Sequence, residues 1–302
     1  MLNDHDLDTF RTEMLRELDA LKEQIASTTI LKKTLNIDWF DAVHDIILEM
    51  GPDLHFTDQR YHMFRILRDQ PDLVKKLDVA ISIIEDTARH AGRLKHCRET
   101  QHKLASVQEN QIQAAIFELL VLSHLIRLST TRGFRIDIYP TTRNGRNIEA
   151  RVWIDSRWCN FEAKALGYSH HDVGMNTEAP RVGSHNVNSM IKQITDALSE
   201  KAEQLSHTGD NEPAVVLLAL GFNADSYSGP WGIDEFFNCP NGSNLSAVLL
   251  YGSFLCRKRL GIFINHHDTN SFSTKERVFL ENYAPPSRLT ISQAVRNRHT
   301  TP

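Results

Sequence analysis

The stretch Asn147–Leu166, NIEARVWIDSRWCNFEAKAL, decides how the rest of the chain is read. Val152, Trp153, Ile154, Trp158, Cys159 and Phe161 favour a pleated backbone, and Asp155-Ser156 supplies a short polar turn. A hairpin centred on that turn pairs Trp153 with Trp158, Arg151 with Asn160 and Glu149 with Glu162. Side chains alternate with period two. Glu149, Arg151, Trp153, Trp158, Asn160, Glu162 and Lys164 therefore share one face. Ala150, Val152, Ile154, Cys159, Phe161, Ala163 and Ala165 form the other face and read as core.

Two carboxylates directly opposed on paired strands repel each other, with Cα atoms only about 4.5–5.5 Å apart. A cation should sit between them. Lys164, two residues beyond Glu162 on the same face, is one candidate. A divalent metal is the other, because hard cations such as Mg²⁺ take a few carboxylate oxygens and keep several waters. A metal held by two acids beside a lysine can bind a phosphate oxygen, polarise phosphorus and deprotonate water. A slip of one residue in the pairing would put the glutamates on opposite faces.

An acidic residue on one strand followed by Glu-x-Lys on the next resembles the PD-(D/E)xK, or restriction-endonuclease-like, nuclease superfamily. The matching residues are Glu149, then Glu162-Ala163-Lys164. The resemblance covers Gln111 to Phe222, about a third of the chain. It implies an α/β fold, a restriction-endonuclease-like core with a mixed central sheet flanked by helices. It also implies a metal-dependent endonuclease, with DNA the favoured nucleic-acid substrate and a 5′-phosphate product. Glu149 and Glu162 would hold Mg²⁺ or Mn²⁺. Glu118, on the helix QIQAAIFELLVLSHLIR, matches the extra glutamate that the family often adds. Lys164 would activate the attacking water, and Lys192 or Gln193 on the following helix would touch substrate. A role in restriction or phage defence is compatible with this reading. The family prefers Asp at the first acidic position, often after Pro, where this chain has Ile148-Glu149. An inactive nuclease fold that binds nucleic acid or a protein partner is therefore the alternative.

The chain has 302 residues and a formal net charge of −4, so it is not a globally basic nucleic-acid binder. Charge is uneven, however. Arginines 127, 132, 135, 143, 146, 151 and 157 face only Asp137, Glu149 and Asp155 between Arg127 and Arg157, a balance that suits a phosphate backbone. Arg151, on the acidic face, is expected to contact substrate. Cys97, Cys159, Cys239 and Cys256 are widely spaced and form no Cys-x-x-Cys, which argues against a disulfide framework or zinc knuckle. The longest apolar run, Ala214 to Leu220, falls far short of a membrane span. The start, MLNDHDLDTF, lacks an apolar signal region. No membrane association and a reducing cytoplasm are expected.

Apolar periodicity predicts helices at Asp6–Ser27, Ile37–Met50, Asp58–Asp69, Asp72 to about Lys103, Gln111–Leu128 and Val187–Leu205. The first of these also fits a short coiled-coil seam, through which a homodimer could form. Strands are predicted at Phe134–Tyr139, in the hairpin, and at Ala214–Leu220, Leu245–Phe254 and Arg259–Ile264. Gly167–Asn188, with His170, His171, Asp172 and His185, reads as a long loop, as does Asn223–Asn244. The resulting division is a helical region over 1–104, a nuclease-like domain over 105–284 and a basic tail over 285–302. A helical oligomeric scaffold is a third reading of the first region.

Overall fold

The structure is a computed structural model that describes residues 4–51, 58–106, 111–166, 184–209, 211–220, 231–252, 255, 259–266 and 272–283. Seven helices come first: α1 (Asp4–Ala26), α2 (Leu31–Thr34), α3 (Ile37–Leu48), α4 (Gln59–Asp69), α5 (Pro71–His90), α6 (Leu94–Lys103) and α7 (Gln111–Arg132). Their ends follow local chemistry. The Asn36 side chain accepts from the Trp39 N–H to cap α3, the Asp58 side chain accepts from the Arg60 N–H to cap α4, and Pro71 opens α5. Asp78, on α5, accepts from the N–H groups of Thr29, Ile30 and Leu31 at 2.7–3.0 Å, tying α5 to the start of α2.

The helix expected to run from Asp72 to Lys103 is two helices. Gly92 adopts φ +71°, and the Arg93 N–H reaches back to the Ala88 carbonyl, a left-handed helix stop that glycine makes at no steric cost. The stripe of α1 (Leu7, Met14, Leu18, Leu21, Ile25) is buried within the chain itself.

The sheet has six strands in the order β1 (Arg135–Ile138), β2 (Ala150–Ile154), β3 (Arg157–Ala165), β4 (Ala214–Ala219), β5 (Ala247–Tyr251) and β6 (Arg259–Ile264). Strands β1, β2 and β3 are antiparallel neighbours, β3–β4 and β4–β5 are parallel, and β6 is antiparallel. α8 (Ser184–Leu205) makes the β3–β4 crossover, and the short α9 (Ile233–Phe237) lies between β4 and β5. The expected loop at Asn223–Asn244 thus contains α9 and a 3-10 turn at Pro240–Asn244. α10 (Thr274–Glu281) follows the last strand. His170, His171, Asp172 and the tail from 285 lie outside the described residues.

Two apolar layers sandwich the sheet. One contains the expected hairpin core face, from Ala150 to Ala165, packed with α7 and the N-terminal helices. A single core therefore joins the region 1–104 to the sheet. The other layer holds Met190, Ile194, Leu198 and Leu205 of α8 against Val216, Leu218, Val248 and Leu250. Burial on both faces explains why β4 and β5 are continuous apolar runs. α7 is, among the described residues, the one helix long and apolar enough to cross a membrane, and it is mostly buried inside the structure.

Candidate active site

The turn between β2 and β3 has positive φ at both central residues, Asp155 (49°) and Ser156 (75°). That twist matches a tight antiparallel pair and yields the expected register, with Trp153 opposite Trp158 and Ala150 opposite Phe161. Glu149 and Glu162 come next along the pair and exchange hydrogen bonds across it. The Glu149 N–H donates to Glu162 Oε2 at 3.1 Å, and the Ala163 N–H donates to Glu149 Oε2 at 3.0 Å. Burial, then the charge of the adjacent Glu162, hold the Glu149 carboxyl well above the usual carboxylate range.

The cation beside this pair is Lys201 of α8. Its Nζ lies 2.5 Å from Glu162 Oε1, with side-chain exposures of 11% and 2%. Burial pulls the Lys201 ammonium down, but Glu162 and Glu149 outweigh it and hold the group above its ordinary value. Lys164 instead pairs with Glu200 at 2.7 Å, on the more exposed side of the same helix. Adjacent residues of α8 thus meet Glu162 and Lys164 with opposite charge. Gln204 completes the α8 contact, accepting from Lys201 Nζ at 3.2 Å and donating to the Asn147 carbonyl at 2.6 Å.

Glu118 reaches the cluster from α7. Burial first, then the charge of Glu149, push its carboxyl above the ordinary range, against the opposing pull of Lys103 and Thr100. The Thr100 hydroxyl donates to Glu118 Oε1 at 2.6 Å, and Lys103 Nζ lies 3.5 Å from Oε2. The phenol of Tyr139, buried among the same groups, is raised by burial and then by Glu118. The structure therefore couples Glu118, Glu149 and Glu162 electrostatically. Among the described residues, no three His, Cys, Asp or Glu side chains converge as a ready metal cage.

The remaining expected residues stand further out. Lys192 and Gln193 are solvent-exposed on α8, two to three turns before Lys201, about 14 Å along the axis. Arg151 lies two cross-strand pairs from the acids, held by Asp137 at 2.9 Å and placed over the Trp158 ring at 4.5 Å. Lys201 carries a signal in the sequence beyond the expected site residues. It falls on the apolar stripe of α8, seven residues after Ile194 and four after Ala197, where a lysine needs an acid to face.

The donor chemistry of the cluster fits a hard divalent cation. It offers the carboxylate oxygens of Glu118, Glu149 and Glu162, the donors a hard cation takes, and burial, followed by a neighbouring glutamate, raises both Glu118 and Glu149. Compared with protein-family models, with curated proteins and with solved structures, the chain matches none.

Proposed function

We propose that this chain is a metal-dependent endonuclease that hydrolyses phosphodiester bonds, with DNA as the favoured substrate, on a restriction-endonuclease-like core. The observation that carries this reading is the opposed, hydrogen-bonded pair Glu149–Glu162 on an antiparallel hairpin, with Glu118 coupled to it from the preceding helix. Glu149 and Glu162 would hold Mg²⁺ or Mn²⁺, with Glu118 assisting. When bound, the ion supplies charge against phosphate oxygens and lowers the pKa of a bound water. The Glu162-x-Lys164 spacing puts Lys164 on the acidic face, where its ammonium, released from Glu200, orients the attacking water and steadies charge on phosphate. Lys201 holds the Glu162 carboxylate in place through their 2.5 Å contact. Arg151 and the neighbouring arginines supply contacts to the phosphate backbone. Restriction or phage defence is the setting that suits such an activity.

A second reading has its own observation. Glu162 is 1% exposed, and both lysines of the site are already paired with glutamates. This closed arrangement is what a nuclease fold kept for binding, without catalysis, would show. A thermal unfolding titration with Mg²⁺ and Mn²⁺ separates the two. The endonuclease reading expects a metal-dependent rise in melting temperature that disappears in Glu162→Gln. An identical response, or none, in both proteins favours the binding module.

A further inference from the structure

The acidic face of the hairpin continues, away from Glu162, into a cluster of two edge-to-face tryptophans and two arginines. Trp153 and Trp158 oppose each other across β2 and β3, with ring centroids 5.2 Å apart at 76°. The Arg151 guanidinium lies 4.5 Å from the centre of Trp158. Arg135, paired with Trp153 across β1 and β2, lies 5.6 Å from Trp158 and 5.9 Å from Trp153. α8 packs on β3 and β4. On the β1–β2 side, Arg135 is exposed and Trp153, Trp158 and Arg151 are partly buried. Arg151 is pinned by Asp137, whereas Arg135 has no ion pair among the described residues. Beyond Arg151 opens a cavity of about 190 Å³, lined also by Arg143, His207 and Asn160. Glu212 is its one acid among the described residues, and it accepts from Asn160 Nδ2 at 2.9 Å.

A cross-strand tryptophan pair alone is explained by hairpin stability. The Arg151 guanidinium over Trp158, with Arg135 within 5.9 Å of both rings, is not. Arginine planes and indole rings both stack unpaired bases, and the N–H edge of a stacked guanidinium remains free to meet phosphate. Paired bases inside a duplex present no such faces. We propose that Arg135, Trp153, Trp158 and Arg151 form a stacking platform for a single-stranded polynucleotide. Bases extend the stack from Trp153 and the outer plane of Arg135, and the backbone runs towards Arg143. This rests on the nucleic-acid reading above and adds the state of the strand that is held.

The test uses the full chain, fluorescence anisotropy with labelled oligo(dT), oligo(rU) and a duplex, and a thermal melt of every variant. The native chain should bind a single strand, DNA or RNA, more tightly than duplex. Loss of one stacking side chain in Trp153→Ala should weaken that binding roughly tenfold, and Trp153→Phe, which keeps a ring, should restore most of it. Arg135→Ala should weaken binding several-fold with an unchanged melt, because Arg135 is exposed. Binding by Arg135→Ala and Trp153→Ala equal to the native chain, or tighter binding of duplex than of single strands, overturns the platform and leaves the nucleic-acid reading standing. No binding of any of the three probes by the native chain overturns both.

Discussion

Replacing Lys201 with Met keeps the length and apolar stem of the side chain and removes its charge. Glu162, 1% exposed, then loses the ammonium that lies 2.5 Å from Oε1. Removing one partner of a buried ion pair costs about 3–5 kcal/mol. Protonation of the carboxyl sets a ceiling on that loss. A glutamate in the unfolded chain titrates near about 4.3, so forcing it to bind a proton on folding at pH 7 costs about 4 kcal/mol. At pH 5 the same step costs about 1 kcal/mol. The sign follows from proton counts. Above the unfolded pKa the folded variant binds a proton that its unfolded chain lacks, so its stability falls as pH rises. Urea unfolding of the native chain and Lys201→Met at pH 5, 6 and 7 should give a stability difference of about 3–4 kcal/mol at pH 7, shrinking to about 1 kcal/mol at pH 5. A difference below about 1 kcal/mol at pH 7, or one that grows as pH falls, would refute the assignment of Lys201 as the counter-charge of the acid pair.

Three further outcomes follow from the packing. Glu276, whose side chain is fully buried, accepts from Arg157 at 2.7 and 2.8 Å and from the Ser273 N–H at 2.6 Å, so it fastens α10 to β3. Glu276→Ala should cost about 3–5 kcal/mol in chemical denaturation, and a loss under about 1 kcal/mol would contradict this role. His124, buried against Tyr283 with no hydrogen-bond partner for either ring nitrogen among the described residues, is lowered to about 4 from 6.5 by burial and then by Arg127. The unfolded chain binds more protons than the folded one between those values, so about 3 kcal/mol of stability should be lost as pH falls through that window. His124→Phe should flatten that part of the profile, and an unchanged profile would count against it. Asp78→Ala removes the acceptor of three N–H groups at the start of α2. A drop of about 1–2 kcal/mol in calorimetric stability is expected, whereas a neutral effect would show that water replaces the cap.

The hairpin was legible because two independent local signals agreed. Period-two alternation separated its faces, and the Asp155-Ser156 turn set the register that brings Glu149 to Glu162. The apolar runs of α7, β4 and β5 were equally readable, since burial on all sides leaves no polar face to confuse the pattern. What escaped depends on contacts between distant segments. Lys201 meets Glu162 only after the β3–α8–β4 crossover folds back on the sheet, and at the level of spacing Lys164 looked the nearer cation. Thr100 and Lys103 reach Glu118 from α6, a helix whose separation from α5 turns on the left-handed Gly92. Glu276 carries no local signal of its role, because its partner Arg157, on β3, is 119 residues away in the chain. The Arg–Trp cluster combines residues of three strands, and only the pairing of β1 with β2 brings Arg135 to Trp153.

Glu149 and Glu162 are proposed to form the metal-dependent centre of a nuclease. The most direct measurement is cleavage of supercoiled plasmid and of single-stranded DNA in Mg²⁺, in Mn²⁺ and in EDTA. The native chain would be run beside Glu162→Gln and Lys164→Ala, each checked for an intact fold. The account predicts metal-dependent nicking by the native chain, silenced by EDTA, abolished in Glu162→Gln and reduced by at least about 100-fold in Lys164→Ala. Undiminished cleavage in Glu162→Gln, or no cleavage of either substrate by the native chain in any metal, would contradict it.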